Sequence, residues 1–419
     1  MTQPITSPIR IIRPPAKAKK PSGPFPWGSL LVLSAAVFLS VTAEMLPMGL
    51  LPEMSQDLNV PESQIGLLVS IFAFAVVLTS IPLGHLTRRR QRHRLIVVVI
   101  FIIALASAAT ALAPNYEVMA VARAVGGMAH GLFWAVMGAY AGYLVPREFI
   151  GRAVAITTGG GTLAFVIGVP LGTFIGQAVG WRAAFGSIAA LCLIGAVSML
   201  WLLPRVERIV PTRDEERLAK AAKARGEHVR DATLPAIALT CLLATVIMTG
   251  HYAYYTFIAP FLMGQVGVRS EDLAPLLALY GVAGAVGLII AGTVFGRRNT
   301  LGLAVGIAVT AVMVLLMAVF AGNPFIAVGS FVLWGLMFGL LPPLLGTRLL
   351  HVASLQARDA ASAYYATAFN IGIGGGALLG AVIFEHFGLA ALPVTYLVTL
   401  VLGGSVLAVS ILRERRLSR

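Results

Sequence analysis

Apolar runs of about 20 residues, separated by short polar breaks, fill the chain from Trp27 almost to its last residues, and 20 residues is the length a helix needs to cross a bilayer. They predict twelve spans, with centres near residues 39, 73, 104, 128, 164, 193, 248, 284, 310, 336, 371 and 401. In hydrocarbon every backbone polar group must be satisfied internally, so each span is expected to be a helix. The spans are also duplicated. Of the 19 glycines between Gly28 and Gly195, eight recur 208 positions later: Gly84/Gly292, Gly127/Gly335, Gly131/Gly339, Gly138/Gly346, Gly168/Gly376, Gly172/Gly380, Gly180/Gly388 and Gly195/Gly403. Chance would give roughly two or three. Pro52 and Pro260 align as well, which sets Glu44 opposite Tyr252. The expected architecture is an all-α membrane protein of two six-helix bundles, with an asymmetric site between them.

Composition agrees and narrows the picture. The chain is 58% hydrophobic and 11% charged, with mean hydropathy +0.88. Such apolar surface cannot be kept in water by a soluble domain. Of its 31 Lys and Arg residues, 28 fall on one side once the spans are drawn, leaving Arg123, Arg182 and Arg269. The positive-inside rule then puts both termini in the cytoplasm. The net charge of +14 is accounted for by this topology and by contact with anionic membrane lipid. No soluble basic domain is present to carry a nucleic-acid partner. Cys192 and Cys241 lie inside apolar runs, so neither a disulfide nor a metal site is expected, and no cofactor is implied.

Expected boundaries follow from the charged stretches. Residues 1–27, with five basic residues and seven prolines, read as a disordered cytoplasmic tail; 28–203 and 236–412 are the two bundles; 413–419 is a second tail. Between the bundles, residues 204–235 carry eight basic and six acidic residues and form a cytoplasmic linker.

Two strongly ionisable residues fall well inside the hydrocarbon: Glu44 in the first span and Arg123 in the fourth. Their positions place both roughly 8 to 9 Å below the outer surface, at 1.5 Å per residue. Burying either alone is costly, so a pair is expected. Glu44 is a candidate proton carrier with Arg123 as its fixed counter-charge; a permanent ion pair that only sets helix register is the structural alternative. Along the fourth span Arg123, Gly127, His130 and Trp134 form one stripe, in which His130 is either a hydrogen-bonded packing residue or a ligand or proton relay. The run Gly250 to Phe261 sets His251, Tyr252, Tyr254 and Tyr255 near the depth of Glu44, although tyrosines also populate interfacial belts. Trp334, Tyr364, Tyr365 and Asn370 are weaker candidates. Such lining suits a neutral or zwitterionic amphipathic solute; a polyanion would need more cations than Arg123. Glycine is dense in the fifth and eleventh spans, for close packing or for flexing, and Pro170 should kink the fifth where Leu378 leaves the eleventh intact. No set of nucleophile, base and orienting group suggests an enzyme, and no large soluble domain suggests a receptor or scaffold.

Five stretches resemble the major facilitator superfamily, in particular its twelve-span drug:proton antiporters. GHLTRRRQRHR, Gly84 to Arg94, is similar to the family's loop motif between spans two and three, with Arg88 in place of the usual aspartate and Gln91 in place of a later glycine. RAVGGMAHG, Arg123 to Gly131, is similar to its fourth-span motif, whose arginine is linked to proton coupling. GVPLGTFIGQAVGWR, Gly168 to Arg182, resembles the fifth-span antiporter motif. TAEMLPMGLLPEM, Thr42 to Met54, and FNIGIGGGALLG, Phe369 to Gly380, look like the bacterial sugar-efflux and chloramphenicol-exporter branch, where Glu44 takes the first-span acidic position. The resemblance implies a monomeric, proton-coupled exporter of a drug or sugar in the bacterial inner membrane. Glu44 and Arg123 would couple protons; His130, Trp134, His251, Tyr252, Tyr255, Trp334, Tyr365 and Asn370 would bind substrate; Gly84, Arg88, Arg89, Gly168, Pro170 and Gly172 would serve gating. A uniporter or proton symporter for a sugar or nucleoside is the alternative.

Overall fold

The computed structural model describes residues 25–87, 90–145, 149–204, 233–354 and 357–417. Most of the expected tail 1–27 and linker 204–235, together with Arg88, Arg89, Arg147 and the last two residues, lie outside the described residues. Twelve helices are long and apolar enough to cross a membrane. In the first half they are Trp27–Gly49, Glu62–Leu86, Arg92–Ala111, Tyr116–Met137, Arg152–Val179 and Trp181–Leu202. In the second half they are Leu234–Tyr255, Ser270–Thr293, Asn299–Val319, Pro324–Val352, Ala360–Phe387 and Ala391–Glu414. Each expected centre falls within one of these spans, and no strand occurs among the described residues. The chain is a multi-pass membrane protein.

The duplication is visible in the packing. In the first half, span 1 packs on 5 and 6, span 2 on 4, and span 3 on 4 and 6; in the second half, 7 packs on 11 and 12, 8 on 10, and 9 on 10 and 12. Even the backbone repeats. Positive φ occurs at Asn59 (52°), Gly180 (105°), Gly267 (80°) and Gly388 (77°) among the described residues. Asn59 and Gly267 are repeat partners, as are Gly180 and Gly388. Both pairs end a helical stretch, and this region of φ is open to glycine and tolerated by asparagine, so different residues supply the same turn.

Small residues let the helices touch backbone to backbone. A methyl group on Gly127 would strike the Phe72 carbonyl oxygen, and one on Gly335 would strike that of Tyr280, the repeat partner of Phe72. Gly160, Gly168, Gly172 and Gly176 in the fifth span meet Ser34, Thr42, Leu46 and Leu50 of the first. Gly372, Gly376 and Gly380 in the eleventh do the same against Met248, Thr249 and Ala253 of the seventh.

The two halves meet where span 2 packs on 11 and span 5 on 8. There the symmetry is broken. The fifth span opens into a π-helical turn at Ala164–Gly168, immediately before Pro170, which has no N–H to close an α-turn. This turn lies against Gly281 of the eighth span, so closely that a Cβ on Gly281 would meet the Phe165 carbonyl. The eleventh span, with Leu378 at the matching place, runs unbroken from Ala360 to Phe387.

Candidate functional site

Helix packing brings Glu44 and Arg123 together, but their contact differs from the expected ion pair. Arg123 donates from Nη1 to the Ala43 carbonyl oxygen (2.6 Å) and from Nη2 to the Glu44 carbonyl oxygen (2.8 Å). Its guanidinium carbon also lies 4.4 Å from the centre of the Phe72 ring. Among the described residues it forms no ion pair with the Glu44 carboxylate. The first span can offer the Ala43 oxygen because Pro47 lies four residues beyond it and has no N–H to occupy that carbonyl.

The carboxylate instead faces His130. Glu44 Oε2 is 3.4 Å from His130 Nε2, while Oε1 has no partner within the protein. Trp134 Nε1 donates to the same His130 nitrogen (2.7 Å), and His130 Nδ1 is 2.7 Å from Ser40 Oγ. The indole can only donate, so Nε2 is the accepting nitrogen of a neutral ring, and Nδ1 carries the hydrogen directed at Ser40. Ser40 sits one turn before Glu44 on the first span, a four-residue spacing that is legible in the sequence. The stripe of the fourth span thus divides: Arg123 and His130 face the first span, Gly127 is occupied by packing on the second, and Trp134 reaches the surface at 38% exposure.

In the second half an aromatic cluster surrounds His251. Its ring stacks on Phe338 with centroids 3.6 Å apart and on Tyr255 at 5.2 Å, and meets Trp334 edge-on at 5.3 Å and Tyr252 at 5.0 Å. Tyr280 stacks on Tyr255 at 4.9 Å, and Tyr396 approaches His251 at 6.0 Å. Neither nitrogen of His251 has a hydrogen-bond partner within the protein, nor does the Tyr280 or Tyr254 hydroxyl. Unsatisfied buried polar atoms are costly and uncommon, and a group of them around one ring is accounted for by a bound solute or water. Tyr280 and Tyr396 are each the lone aromatic of their span, and Phe338 is one of four aromatics on the tenth, so nothing in the sequence marks any of the three.

Tyr252 lies within electrostatic reach of Glu44, its repeat partner, so the two clusters adjoin. Glu44, Arg123, His130, His251, Tyr252, Tyr255 and Trp334 are all 4% exposed or less, and the site is closed. Other candidates are not gathered here. The Tyr365 hydroxyl donates to the Pro342 carbonyl (3.1 Å), and Asn370 Nδ2 to Ala366 of its own helix (2.9 Å). Tyr364 is half exposed. Gly84 has room for a methyl group, which would meet only Ala135 at 3.6 Å. Gly168 and Gly172 are packing positions on the first span, and Pro170 follows the π turn.

Twelve membrane helices in two repeated bundles, closing over a site of one acid, one base and a box of aromatic rings, define a solute transporter. The chain belongs to the Major Facilitator Superfamily, whose model matches residues 33–377. It is 34% identical over 367 residues to a protein named chloramphenicol efflux pump of Mycobacterium tuberculosis, covering 85% of this chain and 86% of that one. It is 30% identical over 361 residues to a probable sugar efflux transporter of Helicobacter pylori, covering 86% and 89%. Its fold is similar to that of a D-xylose–proton symporter, with a TM-score of 0.75 at 16% identity over 92% of this chain and 97% of that one. It is also similar to an inward-facing, occupied bacterial homolog of the human lysosomal transporter Spinster, with a TM-score of 0.70 at 17% identity over 93% and 97%. These are transporters, not enzymes.

Proposed function

We propose that the chain is a proton-coupled antiporter of the bacterial inner membrane. It exports a small neutral or zwitterionic amphipathic compound, a drug such as chloramphenicol or a sugar, with Glu44 as proton carrier. The observation that carries this reading is the Glu44 carboxyl group: it is buried, one oxygen is unpartnered, and the other lies 3.4 Å from a His130 nitrogen that already accepts from Trp134. A carboxyl group so placed gains a proton when the site opens to a proton-rich side and loses it to the other side. Arg123 holds backbone carbonyls, so it stays docked in both charge states and supplies a constant positive field. The aromatic box around His251, with its unsatisfied nitrogens and hydroxyls, offers stacking and hydrogen bonds without net charge, which suits such a solute. The names of the relatives at 34% and 30% identity support export.

In this reading both termini and the linker 204–235 are cytoplasmic, supported by the 28 basic residues on one side. Protons from outside load Glu44 as substrate leaves, and deprotonation on the cytoplasmic side resets the carrier while the bundles rock about the site.

The test is efflux from proteoliposomes under an imposed proton gradient, comparing wild type with Glu44→Gln across chloramphenicol, arabinose and a nucleoside. Gradient-driven export of one compound, lost in the variant, is the expected result. Unchanged export by Glu44→Gln would refute the carrier role. Transport indifferent to collapse of the gradient would assign a uniporter.

A further inference from the structure

At the strongly basic end of the molecule a cavity of about 550 Å³ opens between spans 7, 9, 10 and 12 of the second bundle, far along the helices from the aromatic box. Arg297 and Arg298 line it from the turn before span 9, Arg348 and His351 from the end of span 10, Thr300 from the start of span 9, and Glu414 from the end of span 12. Three guanidinium groups face one carboxylate. That carboxylate is already engaged, because Arg348 Nη2 donates to Glu414 Oε1 at 2.6 Å and to Ser410 Oγ at 2.8 Å. Arg297 and Arg298 are exposed and form no ion pair among the described residues.

Two further observations point to an anion. Arg348 is only 3% exposed and lines the cavity, yet its Nε has no hydrogen-bond partner. Span 9 starts at the cavity wall with no side chain capping its first turn and no acidic residue in it, so the positive end of a 21-residue helix is unanswered there. Guanidinium forks and free helical N–H groups together are the chemistry that holds a phosphate.

We propose that this cavity binds the phosphate of an anionic phospholipid headgroup. The lining favours a lipid over a soluble phosphate: Leu301, 50% exposed, and Val352 stand in the cavity wall with the arginines and offer acyl chains an apolar surface. Basic clefts between helices facing a negatively charged leaflet attract such headgroups. The leaflet rests on the orientation proposed above, which a reporter fusion after residue 419 reads separately; headgroup binding in detergent does not depend on it.

The experiment is native mass spectrometry of the full chain in detergent with equal amounts of phosphatidylglycerol and phosphatidylcholine of matched acyl chains. One phosphatidylglycerol per protein should be retained preferentially. The preference should fall by about thirtyfold in Arg297→Gln/Arg298→Gln, at roughly fivefold per interfacial arginine. Arg90→Gln/Arg94→Gln removes equal charge from exposed positions outside the cavity and should leave the preference in place. Equal retention of both lipids by the wild type, or an unchanged preference in the first variant, would overturn the proposal. Stabilisation by millimolar inorganic phosphate with no selective retention of phosphatidylglycerol would overturn the lipid assignment in favour of a soluble phosphate.

Discussion

Arg123 clamps the first span through the carbonyl oxygens of Ala43 and Glu44, at 2.6 and 2.8 Å, and leaves the Glu44 carboxylate to face His130 at 3.4 Å. If Glu44 is the proton carrier proposed above, stability and coupling are separable between the backbone and the side chain of one residue. Arg123→Gln should lower the stability of the purified protein by about 2 kcal/mol or more, the scale of buried hydrogen bonds from a charged donor. Glu44→Gln keeps the carbonyl and should melt close to wild type. Equal losses in both variants, by thermal denaturation in detergent, would show that the carboxylate itself anchors the guanidinium.

His251 carries two unsatisfied nitrogens in a shell of rings. Replacing it with phenylalanine removes that desolvation cost, so His251→Phe should stabilise the substrate-free protein by about 1 kcal/mol. The same variant should abolish substrate binding measured by calorimetry. A less stable variant that still binds would remove His251 from the site.

Neighbouring glycines of the eleventh span should respond very differently to one added methyl group. On Gly376 it would lie 2.5 Å from the Thr249 carbonyl oxygen, whereas on Gly375 it would meet nothing within 4 Å. Gly376→Ala should cost about 1–3 kcal/mol, the range for overpacking a tight contact. Gly375→Ala should be neutral in the same melting experiment.

Asp57 lies beyond the first span and takes hydrogen bonds from Arg182 and from Trp181 Nε1, the latter at 3.0 Å. The Arg182 hydrogen bond leads in holding its carboxyl below the ordinary value of 3.8. A depressed folded value means that the stabilisation is present above 3.8 and fades as the pH falls through the folded value. The pair is well exposed, so the effect should be small. Melting temperatures of wild type and Asp57→Asn should differ modestly at neutral pH and converge in strong acid.

Twelve spans, their duplication and the shared depth of Glu44 and Arg123 were determined by sequence alone. Span length follows from bilayer thickness, the 208-residue offset aligns glycines, among them Gly127 and Gly335 that backbone contacts require, and depth along a helix is a count of residues. Rotation about each helix axis was left to the tertiary structure. These helices are apolar on nearly every face, since lipid and protein interior are both apolar, so no polar stripe marks the inward side. Only packing therefore decided that Arg123 meets carbonyls, that Ser40 and Trp134 hold His130, and that Tyr280 and Tyr396 close on His251 while Tyr365 and Asn370 bond elsewhere.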